Sequence, residues 1–289
     1  AQRLKRVPAI IYKLQRSYRG RKPSMKLYQM QDIGGCRAIL SNVSLARKLY
    51  TECYLKGDIK HKLVNKKDYI SEPKTDGYRS LHLVYAYKSN KGMKRFNGLL
   101  TEIQIRTRLQ HIWATAVETT GFFTRQAIKS NEGEPEWLDF FKLVSSAFAK
   151  LEGCQIVPNT PEDEKELYLS IKKKEKELKV ITKMSGWTNA IELFEQEMKT
   201  KTKKKAKFFL LELDILGDKL NIKSYTEREE QNAINDYSAL EKRHAGKKDY
   251  DVVLVGADNT TDLKKAYPNY FVDTSSFLGY LKKIVSKYS

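Results

Sequence analysis

Asp32, Arg37, Tyr78, His82, Glu102 and Gln104 all fall at the ends or along the faces of expected strands. Asp32 precedes "IGGCRAIL" (33–40) and Arg37 lies within it. Tyr78 and His82 surround the start of "SLHLVYAYK" (80–88), and Glu102 and Gln104 lie in "LLTEIQIRT" (99–107). If those three strands are neighbours, two carboxylates and several cations converge. Hard carboxylate oxygens suit Mg²⁺, which is commonly held by one or two carboxylates plus the phosphates of a substrate. The chain has no GxxxxGK[ST] loop and no paired HRD and DFG motifs, which argues against a Walker-type NTPase or a protein kinase. Phosphate would have to be held by side chains, and "RLKRVPAIIYKL" supplies Arg3, Lys5 and Lys13, the two lysines about two helical turns apart.

Each residue also has a plain structural reading. Tyr78 can be a half-buried loop aromatic, Asp32 a cap at strand entry, and Glu102 an exposed strand residue paired with Arg106. His111 and Trp113 are expected to pack.

The elements that must position these groups follow from periodicity. In "LLTEIQIRT", Ile103 and Ile105 share one face, and Glu102, Gln104 and Arg106 the other. The next segment, 108–123, places Leu109, Ile112, Trp113, Ala116 and Val117 at helical spacing, and 135–151 reads as a second helix with Pro135 near its start. From Pro161 to Lys207 lysine and glutamate dominate, which predicts one or two helices running into a linker, a solvated connector, with a nucleic-acid-binding arm as the alternative that the acid-free run "KTKTKKKAK" leaves open. A second strand pattern begins at "KFFLLELDIL" (207–216). It continues through 219–225, a charged helix, "YDVVLVGA" (250–257) and a last helix carrying Phe277, Leu281 and Ile284. The expected organisation is therefore a mixed α/β domain over 1–155, a charged helical linker over 156–206, and a small α/β domain over 207–289.

Bulk properties bound the possibilities. The 289 residues carry 54 Lys and Arg against 35 Asp and Glu, a formal net charge of +19, which favours polyanionic partners. Three cysteines (Cys36, Cys53, Cys154) at wide spacing suggest free thiols in a reducing compartment, and with the four histidines they form no zinc-site spacing. The longest apolar run is interrupted by Glu212 and Asp214, so a soluble, cytoplasmic protein with no membrane partner is expected. No signal peptide is evident, and the chain opens on Ala1 within an already patterned segment, so a piece before it is expected to be missing.

The blocks "QDIGGCRAIL", "KDYISEPKTDGYRSLH", "EIQIRT" and "HIWATAVE", in that order, resemble the synthetase domain of the RelA/SpoT family of alarmone synthetases, over roughly residues 1–120. The resemblance implies a mixed-sheet, nucleotidyltransferase-like fold in which pyrophosphate passes from Mg·ATP to a ribose 3′-hydroxyl. It implies that Asp32 holds the magnesium, that Arg3 and Arg37 flank the adenine, and that Lys5 and Lys13 meet the phosphates of ATP. Glu102 would orient or deprotonate the hydroxyl and share in the metal, with Gln104 beside it. Tyr78 would stack on the acceptor base, and His82 would lie near the acceptor ribose or phosphate. Ala9 stands where the family commonly has Ser, and Thr119 where a His usually follows the Glu corresponding to Glu118.

The acceptor implied is GDP or GTP in small alarmone synthetases, and the 3′-CCA end of tRNA in a toxic branch of the family that blocks translation. The charge of +19 fits the tRNA acceptor. "KKAYPNYFVDTSSF" (264–277), with Tyr267 and Tyr270, resembles the neutralising segment of fused toxin-antitoxin synthetases of the CapRel type. In that group a zinc-finger-like C-terminal module without metal ligands occludes the ATP site until a phage capsid protein releases it. The same segment reads equally as a helix stop with two packing aromatics. The expected function is an autoinhibited, phage-responsive toxin that pyrophosphorylates tRNA. The alternatives are a (p)ppGpp synthetase and an inactive RNA-binding module.

Overall fold

Strand Leu100–Thr107 sits at the centre of a five-stranded sheet, with Ile103 and Ile105 on one face and Glu102, Gln104 and Arg106 on the other. The computed structural model describes residues 2–4, 7–15, 25–124, 128, 133–188, 206–214, 219–244, 250–256 and 270–288. The sheet comprises β1 (Gln2–Leu4), β2 (Gly34–Leu40), β3 (Lys62–Asp68), β4 (Leu81–Ala86) and β5 (Leu100–Thr107), in the order β1-β2-β5-β4-β3. Strands β2 and β5 are parallel and the other pairs antiparallel. A parallel pair needs a long crossover, and residues 41–99 provide it through α2 (Val43–Lys48), a π-helical continuation (Leu49–Leu55) and the β3–β4 pair. The sequence pattern predicts β2, β4 and β5 but not β1 or β3. Strand β3 reads "KLVNKKD", largely exposed and lacking clean alternation.

On the apolar face Leu81, Leu83 and Ile105 are wholly buried with Ala46, Ile70, Tyr50 and Tyr85, and Ala38, Leu40 and Ile103 pack against them. Asn42 caps α2, its side chain accepting the Leu45 amide at 2.9 Å. Alternation then sends the neighbouring residues of each strand to the opposite face, so the polar set is ordered by the same pleat that builds the core.

Residues 1–111 and 148–160 form one compact unit, and 112–147 with 161–289 another. In the second unit α4 (Pro135–Leu151) brings Trp137, Phe140, Phe141 and Val144, spaced as one helical stripe, into an aromatic core. Phe141 lies 6.1 Å from Phe277 of the terminal helix, and Trp187 stacks on Phe123 at 4.9 Å. Within 156–206, expected as a solvated connector, α5 (Glu164–Leu178) and α6 (residues 180–188) bury Leu167, Tyr168, Ile171, Val180, Met184 and Trp187. The charge runs masked this apolar stripe, whose members are spread among lysines. Further along, β6 (Ala206–Asp214) pairs antiparallel with β7 (Lys219–Thr226) and β8 (Tyr250–Gly256). Helix α7 (Glu230–Arg243) closes a small core of Leu210, Tyr225, Ala233 and Val252, and α8 (Tyr270–Ser286) ends the described chain. Among the described residues no helix is long and apolar enough to cross a membrane.

Candidate functional site

Register assembles the polar face. Gln104 on β5 lies opposite Arg37 on β2 and His82 on β4, and Glu102 lies opposite Gly35 and Val84. The side chains join into one hydrogen-bonded line. Arg37 Nε donates to Gln104 Oε1 at 3.3 Å, and Gln104 Nε2 donates to Glu102 Oε2 at 2.6 Å. Glu102 Oε1 meets His82 Nδ1 at 2.8 Å, and His82 Nε2 meets the Tyr78 hydroxyl at 2.8 Å. Arg106 donates to the same hydroxyl at 2.7 Å and to Gln104 Oε1 at 3.2 Å. Both ring nitrogens of His82 are thus engaged, Nδ1 by the Glu102 carboxylate and Nε2 by the Tyr78 oxygen, and a protonated imidazole donates to both.

Close approach of β2 to β5 is part of this geometry. A Cβ on Gly35 would stand 2.1 Å from the Glu102 carbonyl oxygen, so only glycine lets the strands meet here. The turn before Tyr78 is built by Asp76, whose carboxylate accepts the Tyr78 amide at 2.9 Å, and by Gly77 at φ +93°. Tyr69 packs edge-on to both Tyr78 and His82, and Lys74 lies 4.7 Å and 5.2 Å from the centres of the Tyr69 and Tyr78 rings.

The electrostatics are those of a buried cation beside a phenol. Burial pushes the Tyr78 hydroxyl up, but the charges of Arg106 and His82 outweigh it and bring the group down to about 7. Burial pushes His82 down, and the Tyr78 oxygen together with Glu102 more than reverses this, so the imidazole is raised. Arg106 is 3% exposed, and its Nε has no hydrogen-bond partner among the described residues.

Asp32 lies just before β2 and accepts from Lys13 Nζ at 2.9 Å, which brings α1 (Val7–Gln15) to the same strand end. Arg3 is at the β1 position opposite Gly35. Lys5 and Tyr267 lie outside the described residues, as does the side chain of Tyr270, the residue that opens α8. Among the described residues no group of three or more His, Cys, Asp or Glu side chains could hold a metal ion. A magnesium ion here would have to draw on Asp32 and Glu102, with phosphate and water completing its shell, which is usual for that ion.

Arg106, Tyr69 and Lys74 were not singled out by sequence reasoning. Arg106 shares a face with Glu102 and Gln104 and was visible to that extent; the other two lie in a loop without periodicity. Trp113 packs as expected, its indole donating to the Phe141 carbonyl at 2.8 Å, and His111 is buried.

Residues 2–124 match the family model described as "Region found in RelA / SpoT proteins". The chain is 35% identical over 112 residues to the GTP pyrophosphokinase YjbM of Bacillus subtilis (strain 168), covering 38% of this chain and 51% of that protein. To YwaC of the same organism, also a GTP pyrophosphokinase, it is 37% identical over 86 residues, covering 30% of this chain and 40% of that one. The chain thus spans about half or less of the length of these relatives. Among solved structures, small alarmone synthetase 1 from Bacillus subtilis bound to its product pppGpp aligns with TM-score 0.44 and 29% identity, over 53% of this chain and 73% of that one. Residues 2–124 therefore carry the region found in RelA / SpoT proteins, and the chain has GTP pyrophosphokinases among its homologues.

Proposed function

We propose that this protein is a cytoplasmic pyrophosphokinase that moves pyrophosphate from Mg·ATP to a ribose 3′-hydroxyl. The observation that carries the reading is the continuous line Arg37–Gln104–Glu102–His82–Tyr78, which places a carboxylate, fixed on both oxygens, between a strand-borne cation and a loop aromatic. The acceptor oxygen attacks the β-phosphorus, the bond from that phosphorus to the α–β bridging oxygen breaks, and AMP leaves with the electron pair. Glu102 takes or orients the hydroxyl proton, and its two hydrogen bonds fix the direction of the acceptor lone pairs. Arg37 and Arg3 flank the adenine, Lys5 and Lys13 meet phosphate, Tyr78 stacks on the acceptor base, and His82 lies at its ribose or phosphate. Asp32 and Glu102 would hold magnesium, which when bound neutralises phosphate charge.

The acceptor we favour is the 3′ end of tRNA. Residues 57–62 and 87–100 carry six exposed cations, Lys60, Lys62, Lys88, Lys91, Lys94 and Arg95, against one carboxylate, Asp58. The register puts this rim at the strand ends nearest Glu102 and Asp32, since Lys62 pairs with Ala86, Ala86 with Leu100, and Gly34 with Thr101. The rim crosses three strand ends, on the order of 10 Å, more than the phosphates of one nucleotide require, and suits a polynucleotide backbone. The second reading, a (p)ppGpp synthetase using GDP or GTP, is favoured by the kinship to GTP pyrophosphokinases. Autoinhibition through Tyr267 and Tyr270, with release by a phage capsid protein as an abortive defence, rests on the resemblance of 264–277 alone.

The test incubates the full chain and its Tyr267→Ala variant with γ-labelled ATP plus GDP, GTP or deacylated tRNA. Label on tRNA supports the toxin reading, and more label from the variant supports neutralisation. Label confined to guanine nucleotides makes the protein an alarmone synthetase. An Asp32→Ala or Glu102→Gln protein that keeps full activity would sink the mechanism.

A further inference from the structure

Arg79 follows Tyr78 directly in the chain, yet its side chain is only 2% exposed and donates to Glu152 Oε2 at 2.7 Å. Glu152, 6% exposed, receives two further donors: Gln110 Nε2 at 3.2 Å on the same oxygen, and the Thr107 hydroxyl on Oε1. Thr107 and Gln110 are themselves locked together, the Thr107 amide donating to Gln110 Oε1 at 3.1 Å and the Gln110 amide to Thr107 Oγ1 at 3.2 Å. One carboxylate therefore gathers the residue after Tyr78 and the residue after Arg106. Those two neighbours make the 2.7 Å contact that seats the acceptor loop on the sheet.

A buried ion pair is a poor device for stability alone, because the desolvation of both ions offsets most of their attraction and an apolar pair of equal volume does as well. What an apolar pair cannot do is hold three donors from two chain segments in one geometry. We infer that Glu152, beyond the matched region that ends at residue 124, is a positioning residue for the acceptor half of the site, holding the loop of Tyr78 in register with the end of β5. The inference rests on the acceptor role proposed for Tyr78. It makes residues 148–160 a working part of the first unit.

The test compares full-length wild type, Glu152→Gln, and the charge-free double variant Arg79→Met/Glu152→Leu. For whichever of GDP, GTP and deacylated tRNA the wild type labels, Glu152→Gln is expected to raise the acceptor KM by roughly tenfold and to leave the KM for ATP within about twofold. The double variant, which leaves no unpaired buried charge, is expected to melt above Glu152→Gln but short of wild type, because the Thr107 hydroxyl and the Gln110 amide lose their acceptor, and not to recover the acceptor KM. A double variant that recovers that KM, or a Glu152→Gln protein with unchanged acceptor KM, overturns the inference. Hydrogen exchange of residues 73–82 reads positioning without turnover. Faster exchange there in the double variant, with the rest of the sheet exchanging at its wild-type rate, supports it, and unchanged exchange overturns it. If the wild type labels no acceptor, the proposed function fails while exchange still decides the role of Glu152.

Discussion

Replacing Gly35 by alanine tests the idea that close packing of β2 on β5 sets the active geometry. The added Cβ would stand 2.1 Å from the Glu102 carbonyl oxygen, 3.0 Å from its carbonyl carbon and 3.3 Å from its nitrogen. All three are backbone atoms of a central strand, so no flexible side chain can yield. The strands must part by roughly 1 Å at the register position of Glu102, an overpacking cost of about 1–3 kcal/mol and a fall in Tm of roughly 2–12 °C. The same displacement carries the Glu102 carboxylate away from its aligned position, for which a loss of about 100-fold in kcat is expected. Gly34→Ala is the control, since a Cβ there meets nothing within 4 Å. It should keep full activity and gain up to about 1 kcal/mol from a stiffer unfolded chain. Thermal melts and the labelled-ATP transfer assay on both variants decide the matter. If Gly35→Ala matches Gly34→Ala in both Tm and kcat, the strand-contact argument is refuted.

Three other outcomes are expected. Glu102→Gln should lower kcat by about 10²–10⁴-fold and lower the His82 midpoint seen by NMR, because the carboxylate that helps to raise it is gone; a midpoint that stays put would show that Glu102 does not hold the imidazole. One tyrosine should ionise near pH 7, visible as tyrosinate absorbance, vanishing in Tyr78→Phe and moving up in Arg106→Gln. Because its native value lies below the unfolded one, the stability tied to Tyr78 is present above its ordinary value of 10 and is lost as pH falls through about 7, and no tyrosinate below about pH 9 would contradict the assignment. Burial pushes Asp68 up, but Arg47 and the amides of Ser71 and Ile70 outweigh it and hold the carboxyl below its ordinary 3.8. Its contribution is therefore present above that value and lost as pH falls through the native one, so Asp68→Asn should flatten the acid limb of a Tm-against-pH curve.

Short apolar runs were enough to mark β2 and β4, and alternation of apolar and polar residues marked β5 and put Glu102, Gln104 and Arg106 on one face, because successive side chains of a strand point to opposite faces. The turn before Tyr78 has an equally local cause, the positive φ that Gly77 tolerates. Helical spacing likewise marked α3 (Arg108–Phe123) and α4. What local pattern could not contain was which strands are neighbours. That β5 lies between β2 and β4, so that Arg37 and His82 meet across Gln104, is a property of pairing between residues 22 to 67 positions apart. Strand β3 escaped because an edge strand exposed on most of its length has no pattern to show. The apolar stripe of α5 and α6 escaped because lysines surround it. Glu152 could not be foreseen at all, since its partners Arg79, Thr107 and Gln110 lie 42 to 73 residues away and a buried carboxylate looks like any other in sequence. Local stereochemistry thus determined which side chains could face a site, and long-range pairing decided which of them meet.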